Sequence, residues 1–134
     1  MPAVQNGTGT IGYADESQAK SLSTAKFGSA GSFVGPTVDA AVKIVDASQP
    51  LPNRPANDLS LSLDRNASGY PFVLVSYLVA CEQYKDSNTA DMTKAYLGYV
   101  ASTEGQQVAQ QNAGSRPPPT SLASKVQPSL PSFK

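Results

Sequence analysis

The run Phe72–Cys81, FVLVSYLVAC, constrains this chain more than any other stretch, because it is the most apolar segment and carries no charge. Its β-branched and aromatic content favours a strand buried on both faces, as in a covered α/β sheet. Periodicity alone leaves a buried helix open. Neither this run nor any other approaches the roughly 20 apolar residues that a membrane-spanning helix requires. At 134 residues the chain suits one domain and is too short for two of ordinary size.

Charge and side-chain chemistry exclude several function classes. Ten basic and ten acidic residues cancel, which argues against a nucleic-acid or anionic-membrane partner, since either needs a basic field. With one cysteine and no histidine, the chain has no intrachain disulfide, no Cys/His zinc site and no His-based catalytic triad. Cys81 closes the apolar run, where a cysteine is expected to be a small buried hydrophobe. A reactive thiol would want a cationic neighbour, and Glu82 stands there instead. The opening MPAVQNGTGT has no basic n-region, apolar h-region or cleavage site, so a protein starting here is expected to remain in the cytoplasm.

Along the chain, Thr10–Ala14 (TIGYA) reads as a strand entered through a glycine turn, with a short helix over Asp15–Lys20 and a further strand over Leu22–Phe27. Gly35-Pro36 offers a helix start, and Val38, Ala41, Val42 and Val45 recur at helical spacing to about Ala47–Ser48. SQPLPNRP follows as a loop, because its prolines suit neither a helix interior nor a central strand. Leu59, Leu61 and Leu63 alternate with serines as a half-buried strand does. Asn88 or Thr89 can cap a helix whose apolar stripe is Met92, Ala95, Tyr96, Tyr99 and Val100. Thr103-Glu104-Gly105-Gln106 resembles a capping box opening another helix, which runs to about Asn112 and stops at Gly114. Five of the 11 prolines lie beyond Arg116, leaving room for a short helix over Ser121–Val126 before Pro128.

Gly7, Gly9 and Gly12 fit G-x-G-x-x-G, but a dinucleotide turn needs a strand before it, a helix after it and an acidic residue about 20 positions on. That context is absent, so the glycines read as a turn. Asp15-Glu16, and Asp58 with Asp64, read as solvated carboxylates beside turns rather than a catalytic pair. Ser76 lies in no nucleophile elbow. Tyr96 and Tyr99 read as helix packing residues. The sequons at Asn6 and Asn66 matter only in a secretory eukaryotic setting.

Three stretches carry a resemblance. GTGTIGYADESQAK, YPFVLVSYLVACEQY and AYLGYVASTEGQQVAQQNAG together resemble, in order and separation, the closing part of the phosphate-binding proteins of ABC transporters. The actinobacterial branch is the most similar. The resemblance implies an α/β fold, part of a two-lobed periplasmic-binding-protein-like (type II) clamp with mixed sheet strands and flanking helices. On this reading residues 1–48 end the second lobe, as strand, helix, strand and helix. Residues 49–71 form a Pro/Gly-rich crossover with a short strand. Residues 72–116 return to the first lobe as an apolar strand and two helices, and 117–134 form a Pro-rich tail, which departs from the family's terminal helix.

The intact protein is implied to bind phosphate and deliver it to an ABC permease at the cell surface, without cofactor, metal or catalysis. In the family, phosphate is held by backbone N–H groups at helix N-termini, hydroxyls, an arginine and an acidic acceptor. Those contacts would lie upstream of Met1. Arg54, Arg65 and Arg116 do not match the family's arginine motif, and Gly7–Thr10 is the turn before IGY, so no ligand residue is carried over. Two other readings stand beside this one: a structural module pairing with a separately encoded N-terminal lobe, and a fragment of a protein for another oxyanion such as sulfate or molybdate. Either way, Phe72–Cys81 would lack sheet neighbours and leave edges through which copies can associate.

Overall fold

A computed structural model describes residues 2–19 and 21–134. It is a mixed α/β chain whose strands form two separate two-stranded antiparallel sheets, β1–β2 and β3–β4. Helix α1 (Pro2–Asn6) opens the chain, followed by a single 3-10 turn at Glu16–Gln18. β1 (Phe27–Ser29) and β2 (Ser32–Val34) make a hairpin, then come α2 (Val38–Ala47), β3 (Gln49–Pro50) and β4 (Leu61–Ser62). The second half is helical: α3 (Ser87–Val100), α4 (Thr103–Ala113), α5 (Thr120–Ser129) and a closing 3-10 turn at Leu130–Ser132.

The best-packed region surrounds α2. Thr37 caps it by accepting a hydrogen bond from the Ala40 amide at 3.3 Å, so the cap lies two residues beyond the expected Gly35-Pro36 start. Ala40 and Ile44 are buried on its inner face. The chain leaving β4 folds back over that face: the Tyr70 amide donates to the Ala40 carbonyl at 3.0 Å. Buried Ser48 joins the two sides, donating to the Ile44 carbonyl at 2.6 Å and accepting from the Asp64 amide at 3.0 Å. β3 and β4 pair with Gln49 opposite Ser62 and Pro50 opposite Leu61, so the expected Leu59–Leu63 strand is present in its centre.

The helical half is held by caps and one tight turn. α3 begins at Ser87 with Asp86 as its cap, rather than Asn88 or Thr89; a carboxylate ahead of the first turn can take two amides at once. Ser102 caps α4, accepting from the Gly105 amide at 3.0 Å. The capping box is therefore one residue earlier than its sequence suggests and is not reciprocal, because its third position is glycine. A Cβ on Gly105 would lie 2.1 Å from the Tyr99 carbonyl oxygen, which is why glycine stands at this turn. α4 ends at left-handed Gly114, φ 69°, as expected. α5 extends past Pro128, further than expected, because a proline in the last turn removes only one donor. The terminal Lys134 exchanges backbone hydrogen bonds with Glu82 and Tyr84.

The apolar strands differ most from expectation. Phe72–Cys81 is free of turns and bends but joins no sheet. Thr10–Ala14 likewise joins no sheet, and Ile11 is 88% exposed. The Leu22–Phe27 strand is shifted: pairing starts at Phe27, because the turn at Ala30 and Gly31, both with positive φ, sets the register. The Asp15–Lys20 helix contracts to Glu16–Gln18. Lys20 and Met1 lie outside the described residues. Cys81 is exposed, against the expectation of burial, and so are Met92, Tyr96 and Tyr99 of the α3 stripe. The exposure of Ile11, Cys81, Met92, Tyr96 and Tyr99 has one cause, the absence among the described residues of a second layer to cover them.

The surface area measures that absence. The chain exposes 9589 Å², against roughly 6,700 Å² for a compact monomer of its mass. Its fully buried large side chain is Ile44 alone among the described residues. No helix among them is long and apolar enough to cross a membrane.

Gly69 is the position where the α2 core tolerates least. A Cβ there would lie 2.4 Å from the Ala40 carbonyl oxygen and 3.0 Å from Ile44 Cγ1. We expect Gly69→Ala to lower the urea midpoint and to break the Tyr70–Ala40 bond, seen as faster hydrogen exchange at the Tyr70 amide. Gly35→Ala, whose Cβ would meet only Lys26 Cγ at 3.8 Å, should leave both unchanged.

Candidate functional site

The only side chains here able to grip an oxyanion in a planar, bidentate way are the three arginines. Each is already engaged. Arg54 forms an ion pair with Asp58 at 2.7 Å. Arg116 reaches Glu16, 100 positions earlier in the chain, at 2.8 Å. Arg65 donates to the backbone carbonyls of Pro71 and Val73. No two of the three are linked by a shared partner, so they form no anion-binding cluster.

Helix N-termini are the other seats for an anion, because their first amides point outward unpaired. Those of α2, α3 and α4 are occupied by Thr37, Asp86 and Ser102. Asp86 accepts from the amides of Asn88 at 3.3 Å and Thr89 at 3.0 Å, and from the Thr89 hydroxyl at 2.8 Å. Its negative charge would repel a phosphate from the α3 terminus.

A cleft of about 220 Å³ lies where the Glu16–Gln18 turn meets the end of α4. Glu16, Ser17, Gln110, Asn112 and Arg116 line it. It is smaller than ordinary ligand pockets, and its side chains present carbon as well as polar atoms to it. With Glu16 paired to Arg116, it offers amides and a neutralised ion pair rather than a free cation.

The other candidates weighed in the sequence are dispersed. Gly7, Gly9 and Gly12 follow helix α1, not a strand, and precede irregular chain, so the dinucleotide geometry is absent. Asp58 and Asp64 serve local turns: Asp58 accepts from the Ser60 amide at 3.0 Å, and Asp64 from the Asn66 amide at 3.0 Å. Ser76 is exposed, and Cys81 has Glu82 beside it. No cluster of three or more metal-ligating side chains occurs among the described residues.

Two carboxyls titrate below the usual range. Hydrogen bonds from Ser60, and then the nearby Arg54 charge, hold Asp58 down against a small desolvation effect. Hydrogen bonds from Thr89, chiefly through its side chain, and from Asn88 hold Asp86 down. The Asp86 cap is not legible from spacing, because Asn88 and Thr89 just after it are equally good capping residues. The Arg116–Glu16 pair had no local signal at all.

Comparison with protein-family models, curated proteins and solved structures gives no match for this chain.

The depressed Asp86 pKa fixes a sign. The folded-state value lies below the unfolded one, so the cap's contribution is present above the ordinary aspartate range and is lost as pH falls through the folded value. Helical circular dichroism should therefore decline on acidification. Asp86→Ala should already have reduced helicity at neutral pH and a flatter acid limb, whereas Asp86→Asn, still a good cap, should keep the helicity and flatten the limb.

Proposed function

We propose that this chain is a scaffold segment of a phosphate-binding protein serving an ABC transporter, and that it contributes no phosphate ligand itself. The observation that carries the reading is the agreement, in order and separation, of GTGTIGYADESQAK, YPFVLVSYLVACEQY and AYLGYVASTEGQQVAQQNAG with that family's closing part. The unpaired state of Phe72–Cys81 supports it, since a strand taken from a larger sheet would be left in this condition. The occupied arginines and capped helix N-termini support the second half of the proposal.

In this role the intact protein works outside the cytoplasm, capturing phosphate and delivering it to a permease with no bond made or broken. The segment's part is mechanical: to supply a central strand and packing helices for lobes whose ligand groups stand elsewhere. A type II clamp is the fold this role requires. A fully ionised oxyanion such as sulfate is discriminated in such sites by an acidic acceptor, which needs a proton from the ligand. That acceptor is also expected elsewhere in the protein.

Calorimetric titration of the purified chain with inorganic phosphate, sulfate and molybdate tests the proposal. No saturable heat is expected for any of the three. Phosphate binding in the micromolar range or tighter would place ligand groups in this chain and overturn its assignment as scaffold.

The exposed strand also favours a related reading, in which the segment pairs with a separately encoded N-terminal lobe. Co-expression with the N-terminal part of a phosphate-binding protein would then yield a complex that binds phosphate, and failure to co-purify would remove that reading.

A further inference from the structure

The contacts of this chain divide at residues 83–85. Residues 2–82 are tied to one another by the ring contacts of Phe72 with Phe27 and Tyr70. The Leu61 amide donates to the Tyr77 hydroxyl at 3.0 Å, and Asn57 Nδ2 to Glu82 Oε1 at 2.6 Å. Residues 86–134 hold α3, α4 and α5 together. Gln127 Nε2 donates to the Ala101 carbonyl at 3.4 Å, and a Cβ on Gly98 of α3 would meet Leu130 Cδ1 at 3.9 Å. No strand pairing crosses between the two groups.

Three hydrogen bonds do cross among the described residues. The Lys134 amide donates to the Glu82 carbonyl at 2.9 Å, at the division itself. The other two are Arg116 to Glu16 at 2.8 Å and the Ser121 hydroxyl to Asp46 at 2.6 Å. They flank Pro117, Pro118 and Pro119, and the last of these has φ −59° and ψ 154°, which is polyproline geometry. Such a run is stiff, so both contacts ride on one arm and part together. The Arg116 and Glu16 side chains keep 37% and 48% of their surface exposed, and a pair so exposed is weak. Behind the second contact the packing is incomplete, since Val45 and Leu61 on one side and Leu122 on the other line a cleft of about 70 Å³.

We propose that Arg116 and Ser121 form a two-point latch, and residues 83–85 the hinge, of a reversible opening between residues 2–82 and residues 86–134. The hinge residues lie in no helix or strand, and backbone rotations in such a segment swing one body against another. Lys134 sits at the pivot, so its bonds to Glu82 and Tyr84 are kept while the two contacts on the proline arm break. This division is not the 49–71 crossover that the resemblance implies, and the inference does not depend on the phosphate reading.

Small-angle scattering of the full chain reads the opening. Glu16→Arg sets two arginines against each other and should raise the radius of gyration by ~1 Å or more, against ~14 Å for a compact chain of this length, with unchanged helical circular dichroism. The swap of Glu16→Arg with Arg116→Glu restores the pair and should return the radius to its starting value. Ser121→Asp puts a carboxylate against Asp46 and should expand the chain likewise. An acid in the first turn suits the helix dipole, so α5 keeps its helicity. Adding Asp46→Lys to Ser121→Asp should close the chain again. A radius indifferent to both single substitutions, an expansion that its compensating change does not reverse, or an expansion accompanied by loss of helical signal would each overturn the proposal.

Discussion

The Ser48 hydroxyl ties together the part of this molecule that packs. It donates to the last turn of α2 through the Ile44 carbonyl and accepts from the Asp64 amide on the returning chain. Because Ser48 and its contact with Ile44 are buried, losing that bond would leave a polar group unsatisfied away from water. The junction holds residues 64–71 across Ala40 and Ile44, where the Tyr70 amide and the Gly69 backbone make their close approach. It thereby fixes where the apolar run departs. Phe27 and Tyr70 then meet Phe72 edge to face, with ring centroids 5.4 and 5.6 Å apart, and anchor only the first residue of that run.

Beyond Phe72 only isolated side-chain hydrogen bonds hold the run, from Arg65 to the Val73 carbonyl, from the Leu61 amide to the Tyr77 hydroxyl and from the Cys81 amide to the Tyr84 hydroxyl, and this sets the molecule's character. A covered parallel or mixed sheet spreads its cost over neighbours on both edges and helices on both faces. Here the strands that exist are short hairpin partners, and the apolar run has neither neighbours nor cover. Polar groups nevertheless find local solutions. No buried side-chain nitrogen or oxygen among the described residues lacks a hydrogen-bond partner. The chain is thus locally consistent and globally open, as its large accessible surface records.

The same economy explains the absence of an assembled site. Each arginine, and the N-termini of α2, α3 and α4, are used by the chain's own carboxylates, carbonyls or caps, while the α5 terminus behind Pro119 has no side-chain cap. Such engagements are short-range choices for Arg54 with Asp58, four residues apart, and long-range for Arg116 with Glu16. Only the first kind leaves a trace in sequence spacing, and even there Asp58, expected to be solvated, is partly buried and paired with Arg54.

Local chemistry in the sequence determined that α2, α3 and α4 are helices and placed their ends to within a few residues. The apolar spacing of α2, the turn between α3 and α4, and the stop at Gly114 depend on contacts within a few residues, so they are legible from a short window. The sequence also determined that Phe72–Cys81 is uncharged and the most apolar run of the chain. Whether that run becomes a buried strand was decided only by tertiary structure, because strand pairing needs a partner that no local pattern supplies. Tertiary structure likewise decided that Arg65 holds the Pro71 and Val73 carbonyls at the start of the run, and that Cys81, Tyr96 and Tyr99 face solvent, for burial depends on a second layer.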